Sequence, residues 1–284
     1  MRFWIGVATV LASVLLGYLI VGGHLAVLYQ PAEFIIILGS AVGSFIISNS
    51  GKTLSHIGNA LTIARKGATY TQEDYLDSLL LQFTIFKLAR RKGMLSLESH
   101  IDNPDESPIF QQFPRFIKNI RAVNFLCDYI RIMTMGCENP YQIETLIDQE
   151  LDELENQNIH ISGAIQNLAD ATPALGIVAA VLGVIHTMGS IDQPPAILGR
   201  LIGGALVGTF LGVLVSYGFV GPVANSLKEA HAADKGYLMV IRAGLLAYLN
   251  GQAPIIAVEF ARKNIDPFLR PSFSELEKAT QEIK

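Results

Sequence analysis

The sequence contains few charged residues and few cysteines. Of its 284 residues, 16% are Asp, Glu, Lys or Arg and 50% are hydrophobic. Because soluble domains carry about 25% charged residues, this composition indicates a membrane protein. The net charge of −4 is mild, which argues against a surface that binds nucleic acid.

The chain also lacks the residue patterns of metal centres and of common enzymes. We expect its two cysteines, Cys127 and Cys137, to be buried as small hydrophobic residues, with a disulfide or a metal pair as the alternative. The histidines lie far apart and show no HxxxH or HExxH spacing. No nucleophile–base pair or glycine-rich phosphate loop is present. We therefore expect no cofactor and no enzymatic activity.

Four apolar runs predict four transmembrane helices, at residues 3–21, 34–48, 171–189 and 201–221. Three of them approach the roughly 20 residues that cross a hydrocarbon core of about 30 Å. The second run is shorter, so we expect its helix to extend at either end or to lie in a thinned bilayer. The first run is long for a signal peptide and lacks an A-x-A cleavage site, which favours a retained span.

The polar segments show helical rather than strand periodicity. Apolar side chains in residues 50–168 recur at helical spacing, namely Tyr75, Leu79, Phe83 and Phe86, then Phe125, Tyr129, Ile132 and Met133. The acidic stretch 144–155 is predicted to turn four apolar residues to one face, opposite its carboxylates: Leu146, Ile147, Leu151 and Leu154. Residues 224–284 include an amphipathic stretch at Tyr237–Leu249, followed by Asn250-Gly251 as a stop and by a polar tail.

The distribution of Lys and Arg predicts the orientation. Residues 50–168 hold eleven and residues 224–284 hold eight, whereas the loops 22–33 and 190–198 hold none. Because positive charge is retained in the cytoplasm, both termini are predicted to be cytoplasmic. The fold class is therefore all-α, a polytopic membrane protein with four transmembrane helices and a large helical cytoplasmic domain. The predicted segments are 1–49 with helices 1 and 2, 50–168 as the cytoplasmic domain, 169–223 with helices 3 and 4, and 224–284 as a C-terminal cytoplasmic segment.

Small residues recur at four-residue spacing in three of the runs: Gly39 and Gly43, Gly176 and Ala180, and Gly204, Gly208, Gly212 and Ser216. Such ridges let helices approach each other closely in lipid. Packing within one chain is the alternative to packing against other subunits, and three ridges favour some contact with other subunits.

No carboxylate is expected at mid-depth in the membrane. Glu33 and Arg200 are predicted at external edges and Asp170 at the cytoplasmic edge. Only His186 is embedded, either as an interfacial side chain or as a proton relay. Because an ion path normally keeps an ionisable group inside the membrane, the bundle resembles half of a site. A partner has to supply the acid.

Two prolines, Pro173 and Pro222, are predicted on the same side of the membrane because the fourth span returns across it. Pro173 is expected in the first turn of the third span, where its missing N–H costs little. It is either a helix-start proline or a rigid rim that presses on a partner helix as that helix changes charge.

These runs resemble the MotA family of flagellar stator subunits. The likeness is carried by Pro173-Ala-Leu-Gly-Ile-Val-Ala-Ala-Val-Leu-Gly-Val-Ile-His186, Val207-Gly-Thr-Phe-Leu-Gly212, Tyr217-Gly-Phe and Pro222. It extends to Tyr29-Gln-Pro-Ala-Glu33, Gly93-Met-Leu-Ser-Leu-Glu98, Leu249-Asn-Gly251, Ile256-Ala-Val-Glu-Phe260 and Arg270-Pro-Ser-Phe273. Relatives that energise outer-membrane transport usually have three spans, so four spans favour the stator branch.

The resemblance implies a proton channel in the lipid of the bacterial inner membrane. Five such subunits ring two copies of a single-span MotB-type partner, which carries the conducting aspartate. By resemblance, Pro173 and Pro222 couple protonation to movement. The residues themselves offer hydroxyls to the pathway, with a bond to a neighbouring carbonyl as the alternative for many of them: Thr172, Thr209, Ser216 and Tyr217. Arg90 and Glu98 match charges that engage the rotor protein FliG. Two solvated charges on a helical domain are the alternative.

The resemblance also bears on the coupling ion. Sodium-driven relatives have a hydroxyl residue where this chain has Ala180, facing the hydroxyl that corresponds to Thr209. Desolvated Na⁺ needs several oxygen ligands, whereas a proton needs only the partner's acid. Ala180 therefore predicts coupling to protons.

Two other functions remain open from the sequence. An ExbB/TolQ-like energiser of cell-envelope transport would use the same mechanics with a different partner. A non-conducting membrane scaffold would tolerate substitution of Pro173 but not truncation of the polar insert.

Overall fold

The computed structural model describes residues 2–67, 70–137 and 139–283. These residues form helices and turns, without a strand among them. Four helical stretches are long and apolar enough to cross a membrane, namely Arg2–Ile20, Leu25–Ser48, Pro140–Met188 and Pro195–Leu249. The prediction of an all-α protein with four transmembrane helices is confirmed.

The helices are α1 Arg2–Ile20, α2 Leu25–Leu28, α3 Pro31–Ser48, α4 Gly51–Lys66, α5 Gln72–Lys92, α6 Glu98–Asp102, α7 Pro114–Ile117, α8 Ile120–Thr134, α9 Pro140–Met188, α10 Pro195–Val215, α11 Gly221–Leu249, α12 Pro254–Lys263 and α13 Phe273–Glu282. Short 3₁₀ turns lie at Met94–Leu97, Pro104–Glu106 and Phe110–Gln112, and a π-helical segment at Ser216–Val220. The second span begins at Pro31, which extends the short apolar run in the expected way.

The chain divides into two compact units. The first, here called the membrane unit, is Met1–Gly67 with Gln157–Ala230. The second, the polar unit, is Ala68–Asn156 with His231–Lys284. Met1, Ala68 and Lys284, which bound these units, lie outside the described residues.

Helix α4 belongs to the membrane unit, although its sequence is as polar as the insert that follows it. Ser50 caps its start by accepting a bond from the Thr53 N–H. Its small residues Ala60 and Ala64 are buried in a cluster with Ile165 and Leu227. Residues at i and i+4 lie on one face of a helix, so Ala60 and Ala64 form a packing face. Hydropathy does not reveal this face.

The polar unit has its own hydrophobic core, built on α5 and α8. Both sets of periodic residues contribute to it, with Tyr75, Leu79, Phe86, Phe125, Tyr129 and Met133 buried and Phe83 and Ile132 packed against them. Helix α5 begins with a capping box formed by Thr71 and Asp74 and ends at Gly93, which has φ +84°. The apolar residues that recur at helical spacing in the insert are therefore the ones that pack in its core.

A polar network closes one end of this core. The Tyr70 ring stacks on Tyr237 with centroids 4.4 Å apart, and its hydroxyl donates to Asp234 Oδ1 at 2.9 Å. Burial and the adjacent Asp234 carboxylate raise the pKa of the Tyr70 hydroxyl well above its ordinary value. The hydroxyl therefore remains a donor at any physiological pH.

The acidic start of α9 pairs with bases on α11 within the polar unit. Arg242 donates to Asp148 Oδ1 at 2.7 Å and to Glu144 Oε1 at 2.8 Å, and Lys235 pairs with Glu155. Ile147 and Leu151 are buried and Leu154 is partly buried, as predicted. Leu146, however, is 43% exposed, so its placement on the buried face was wrong.

The polar tail contains two helices that the sequence analysis missed. Asn250-Gly251 does stop α11, with Gly251 at φ +84°. Helix α12 then starts at Pro254, and α13 starts with a capping box in which Ser272 and Glu275 bond each other's backbone N–H groups. The S-x-x-E spacing of Ser272 and Glu275 is typical of a helix N-terminus and would have predicted the start of α13.

The two cysteines have different environments. Cys127 is buried, as expected, and burial raises the pKa of its thiol to about 12. Cys137 is only half-buried, so the expectation of a buried residue was wrong there. Its Sγ lies 3.6 Å from Gln142 Oε1. Both thiols are free.

We predict that a maleimide labels Cys137 but not Cys127 in the folded protein at pH 8. At a pKa of about 12, only about one thiol in ten thousand is the reactive thiolate at that pH. The Cys137→Ser variant is the control and should lose all labelling until denaturant is added. Labelling of folded Cys137→Ser at the rate of the wild type would contradict this environment for Cys127.

Glycines bring α9 and α10 into direct backbone contact in the membrane unit. A Cβ on Gly176 would lie 2.8 Å from the Gly208 carbonyl oxygen, and a Cβ on Gly212 would lie 2.8 Å from Gly176 Cα. These ridges therefore pack within the chain. Gly39 and Gly43 have no neighbouring atom within 4 Å of such a Cβ among the described residues, so the ridge on α3 is open.

We predict that Gly212→Ala destabilises the membrane unit, because its Cβ would also lie 3.0 Å from the Thr172 carbonyl oxygen. Overpacking of this kind costs about 1–3 kcal/mol. The melting temperature of the detergent-solubilised protein should fall by roughly 2–4 °C for each kcal/mol. Gly203→Ala is the control, since nothing lies within 4 Å of its Cβ position. Equal melting temperatures for both variants would contradict the close packing.

Candidate ion-coupling site

The predicted site residues lie in both units. Five belong to the membrane unit, with Pro173 and Ala180 on α9, Thr209 on α10, Tyr217 in the π-helical segment and Pro222 in α11. The other two, Arg90 and Glu98, belong to the polar unit.

Pro173 lies in the interior of the 49-residue helix α9 and not in its first turn. The expectation of a helix-start position was therefore wrong, because the helix extends far beyond its apolar part. A proline at this position cannot donate to the carbonyl four residues earlier, which is that of Ala169. Ala169 is 2% exposed, so water cannot supply the missing bond.

Ser216 supplies that bond from the neighbouring helix. Its Oγ donates to the Ala169 carbonyl oxygen at 2.6 Å, and Ser216 is itself 1% exposed. A buried acceptor without a partner costs about 1–3 kcal/mol, so this contact offsets part of the penalty of the proline. Thr172, next to the break, donates to the Leu168 carbonyl of its own helix at 2.6 Å.

The chain changes its helical geometry at the same serine. Residues Ser216–Val220 form a π-helical segment, in which the Gly221 N–H donates to the Ser216 carbonyl. Pro222 follows at once, within the first turn of α11. A single π turn widens the helix by one residue, and such turns often mark functional sites. Pro222 is exposed and Pro173 is half-buried.

Ala180 and Thr209 lie on turns that pack against each other. A Cβ on Gly208, which precedes Thr209, would lie 3.1 Å from the Ala180 backbone nitrogen. Ala180 and Thr209 are both half-buried. Tyr217 is 70% exposed, so its ring projects away from the α9–α10 contact.

Glu33 is enclosed in the membrane unit, which the sequence analysis did not predict. It lies in the first turn of α3, consistent with an edge position, but is only 7% exposed. A Cβ on Gly208 would lie 2.6 Å from its Oε2, and one on Gly183 would lie 3.3 Å from its Oε1. Within the described ranges, Oε2 has no hydrogen-bond partner. The notch made by two glycines thus holds a carboxyl group.

His186 is exposed in the last turn of α9. In the part of the chain that the structure describes, no group of three or more His, Cys, Asp or Glu side chains could hold a metal ion. Glu33, in contrast, is a buried carboxyl group beside the α9–α10 contact.

Arg90 and Glu98 are both exposed in the polar unit. Arg90 lies at the end of α5 and Glu98 at the start of α6, with the turn at Gly93 between them. Arg90 also borders an open cavity of about 350 Å³, whose other lining residues are Met94, Met133, Tyr248, Leu249, Gly251 and Gln252. Arg90 thus places a cation at an open cavity with a mixed polar and apolar lining.

Two residues of the site were not among the predicted ones. Glu33 had a signal in its sequence, because it is the single acid in residues 25–48 and follows Pro31. The sequence places Ser216 in the small-residue ridge and among the hydroxyls of the bundle, but does not identify its acceptor. Counting four residues back from Pro173 identifies the freed carbonyl of Ala169, but its donor depends on the tertiary contact.

Comparisons with known proteins identify the family. A model of the Motility protein A N-terminal region matches residues 4–93, and a model of the MotA/TolQ/ExbB proton channel family matches residues 118–235. Over 284 residues, the chain is 42% identical to Motility protein A of Escherichia coli (strain K12) and 40% identical to that of Salmonella typhimurium. Each match covers 100% of this chain and 96% of the relative.

The fold agrees with this assignment. The solved structure of C. jejuni MotAB matches with a TM-score of 0.80 at 20% identity, and covers 96% of this chain and 98% of that one. At this identity the match speaks for the fold alone, whereas the identity to the two enterobacterial proteins extends over the whole sequence. The chain belongs to the Motility protein A family, within the MotA/TolQ/ExbB proton channel family.

Proposed function

We propose that this chain is a stator subunit of the flagellar motor. With a single-span MotB-type partner it forms a proton channel and converts proton flow into torque on the rotor. The observation that carries the proposal is the end-to-end identity of 42% to a Motility protein A. The identity includes the N-terminal region, which has its own family model and extends to residue 93. This favours a stator over an energiser of envelope transport or a scaffold.

The exposed apolar surface of the membrane unit supports the proposed partner. Helix α9 leaves several apolar side chains uncovered, including Ile177, Val181, Val184 and Met188, each more than 40% exposed. In a membrane these side chains meet lipid or another apolar helix. The proposed assembly is a ring of five copies around two partner helices, each of which brings a conducting aspartate to the α9–α10 contact.

The proposed mechanism uses the proline breaks. A proton from outside neutralises the partner's aspartate and is later released inside. Each change of charge alters how the partner helix packs against Pro173 and Thr209, and the ring advances. One charge crossing about 100 mV releases about 2.3 kcal/mol. That amount is of the order of one buried hydrogen bond, so small rearrangements at the helix breaks match the available energy.

Location and orientation are part of the proposal. The subunit would lie in the bacterial inner membrane with both termini in the cytoplasm and a short periplasmic loop between the first two spans. The support is the placement of Lys and Arg, which are absent from loops 22–33 and 190–198. The subunit would be a channel and motor component and not an enzyme, with the proton as its coupling ion and no cofactor.

The polar unit would present Arg90 and Glu98 to the rotor protein FliG. Both side chains are exposed, so each contact is screened by salt beyond about 8–10 Å. Exposed ion pairs contribute only about 0.2–1 kcal/mol each. Several contacts therefore share the load.

We predict that this chain restores swimming to a paralysed, flagellate deletion strain when external sodium is replaced by potassium at fixed pH. Ala180 leaves Na⁺ with one oxygen ligand fewer, so the speed should not depend on sodium. A protonophore should stop the cells. Rescue that requires sodium would contradict proton coupling, whereas failure of any rescue would contradict the stator function.

We also predict that reversing the charge of Arg90 reduces torque without preventing assembly. Arg90→Glu should lower the speed of a tethered cell partially, because several weak ion pairs share the rotor contact. Lys92→Glu is the control, since Lys92 is exposed in the same last turn of α5 but does not border the cavity. The proposed rotor contact predicts that an acidic-to-basic change on the rotor restores the Arg90→Glu speed. Equal losses in both variants would show a general charge effect.

A further inference from the structure

Two proline breaks in the membrane unit are joined through one residue, Ser216. Its hydroxyl donates to the Ala169 carbonyl that Pro173 leaves without a donor, at 2.6 Å. Its own carbonyl accepts the Gly221 N–H and so closes the π turn that precedes Pro222. The Ser216 side chain thus supplies the hydrogen bond missing from α9, and the Ser216 backbone begins the π-helical segment that follows α10.

The surroundings leave Ala169 dependent on this one side chain. Both residues are nearly fully buried, at 1% for Ser216 and 2% for Ala169, so water does not reach the carbonyl. The nearby hydroxyl of Thr172 already donates to Leu168. Pro173 has no N–H to give.

The same bond lies next to the closest approach of the two helices. A Cβ on Gly212 would lie 2.8 Å from Gly176 Cα, and Gly212 precedes Ser216 by one helical turn. Backbone contact of this kind fixes the distance between the helices, so the hydroxyl meets its acceptor without adjustment. Ser216 also has an alternative acceptor within its own helix, because a serine can bond the carbonyl four residues earlier. Here that carbonyl belongs to Gly212.

We propose that Ser216 is a positioning residue that links the Pro173 break to the Pro222 break, so that the two move as one unit during proton-driven stepping. While the hydroxyl bonds Ala169, α9 and the π segment are held together. When α10 shifts, the hydroxyl returns to its own helix and Ala169 loses its donor. This inference rests on the proposed stator function for its mechanical consequence, but the bond itself can be tested in the isolated protein.

The first test is a double-mutant cycle on the purified complex. Ser216→Ala removes the donor and should lower the melting temperature by roughly 2–4 °C. In a Pro173→Ala background, residue 173 regains its N–H and bonds Ala169, so Ser216→Ala should then have no further effect. If Ser216→Ala alone fails to accumulate, Pro173→Ala should restore its accumulation. An effect of the same size in both backgrounds, or no recovery, would overturn the proposal.

A spectroscopic measurement reports on the same bond directly. An isotope label on the Ala169 carbonyl should show an amide I band at higher frequency in Ser216→Ala than in the wild type. Ser162→Ala is the control, because Ser162 is also buried on α9 but donates to Asn158 of its own helix at 2.9 Å. An unchanged Ala169 band in Ser216→Ala would overturn the proposal.

The mechanical consequence is measured on a bead attached to the flagellum, as the torque of each stator unit. Ser216→Ala should lower the torque per unit, and Ser216→Thr, which keeps a hydroxyl, should recover part of it. A purely structural role would reduce the number of units engaged and leave the torque of each unit unchanged, and that result would overturn the proposed coupling. Rotation driven by the wild-type chain in the same assay tests the stator function separately, so neither torque result for Ser216→Ala bears on that function.

Discussion

In the apolar interior of a membrane protein, every backbone carbonyl needs a donor, and the membrane unit depends on how it meets this requirement at Pro173. Because lipid offers no hydrogen bonds, a carbonyl freed by proline is stable only where protein supplies one. The Ser216 hydroxyl does so at 2.6 Å from the Ala169 carbonyl oxygen. The contact is possible because Gly176 and Gly212 let the two backbones touch. Glycine packing, the proline break and the serine donor therefore form one arrangement.

Under the proposed function, this arrangement would let a small energy input produce movement. A continuous helix without breaks resists bending, because each bend lengthens several hydrogen bonds. Here α9 contains a missing bond at Pro173, and the chain after α10 contains a π turn before Pro222. In the proposed mechanism, a change in the partner's charge alters the packing at these breaks, at an energy near that of one proton crossing the membrane. Glu33, enclosed by Gly183 and Gly208, adds a buried carboxyl group beside the same contact.

The fold was largely predictable from the sequence, because the patterns that specify its helices are periodic and lie within short segments of the chain. Four apolar runs predicted four spans, and Tyr75, Leu79 and Phe86 marked a packed face of α5. The misplacement of Pro173 has a different origin. Hydropathy locates only the part of a helix that lies in the membrane. Helix α9 begins at Pro140, well before that part, so its start could not be predicted from the apolar run. The missed helix α13, in contrast, had a capping box in its sequence.

The site was predictable only in part, because its contacts join residues that are distant in sequence. The sequence marks Glu33 as a lone acid and Ala169 as the carbonyl freed by Pro173. The glycines that enclose Glu33 and the serine that bonds Ala169 depend on how the helices cross, which no local pattern shows.

The proposal that this chain supplies half of a proton path is tested most directly by proton flux into vesicles. The chain should conduct only when reconstituted with a partner that carries the aspartate, and not with the asparagine variant of that partner. Equal proton flux through the chain alone would contradict the account.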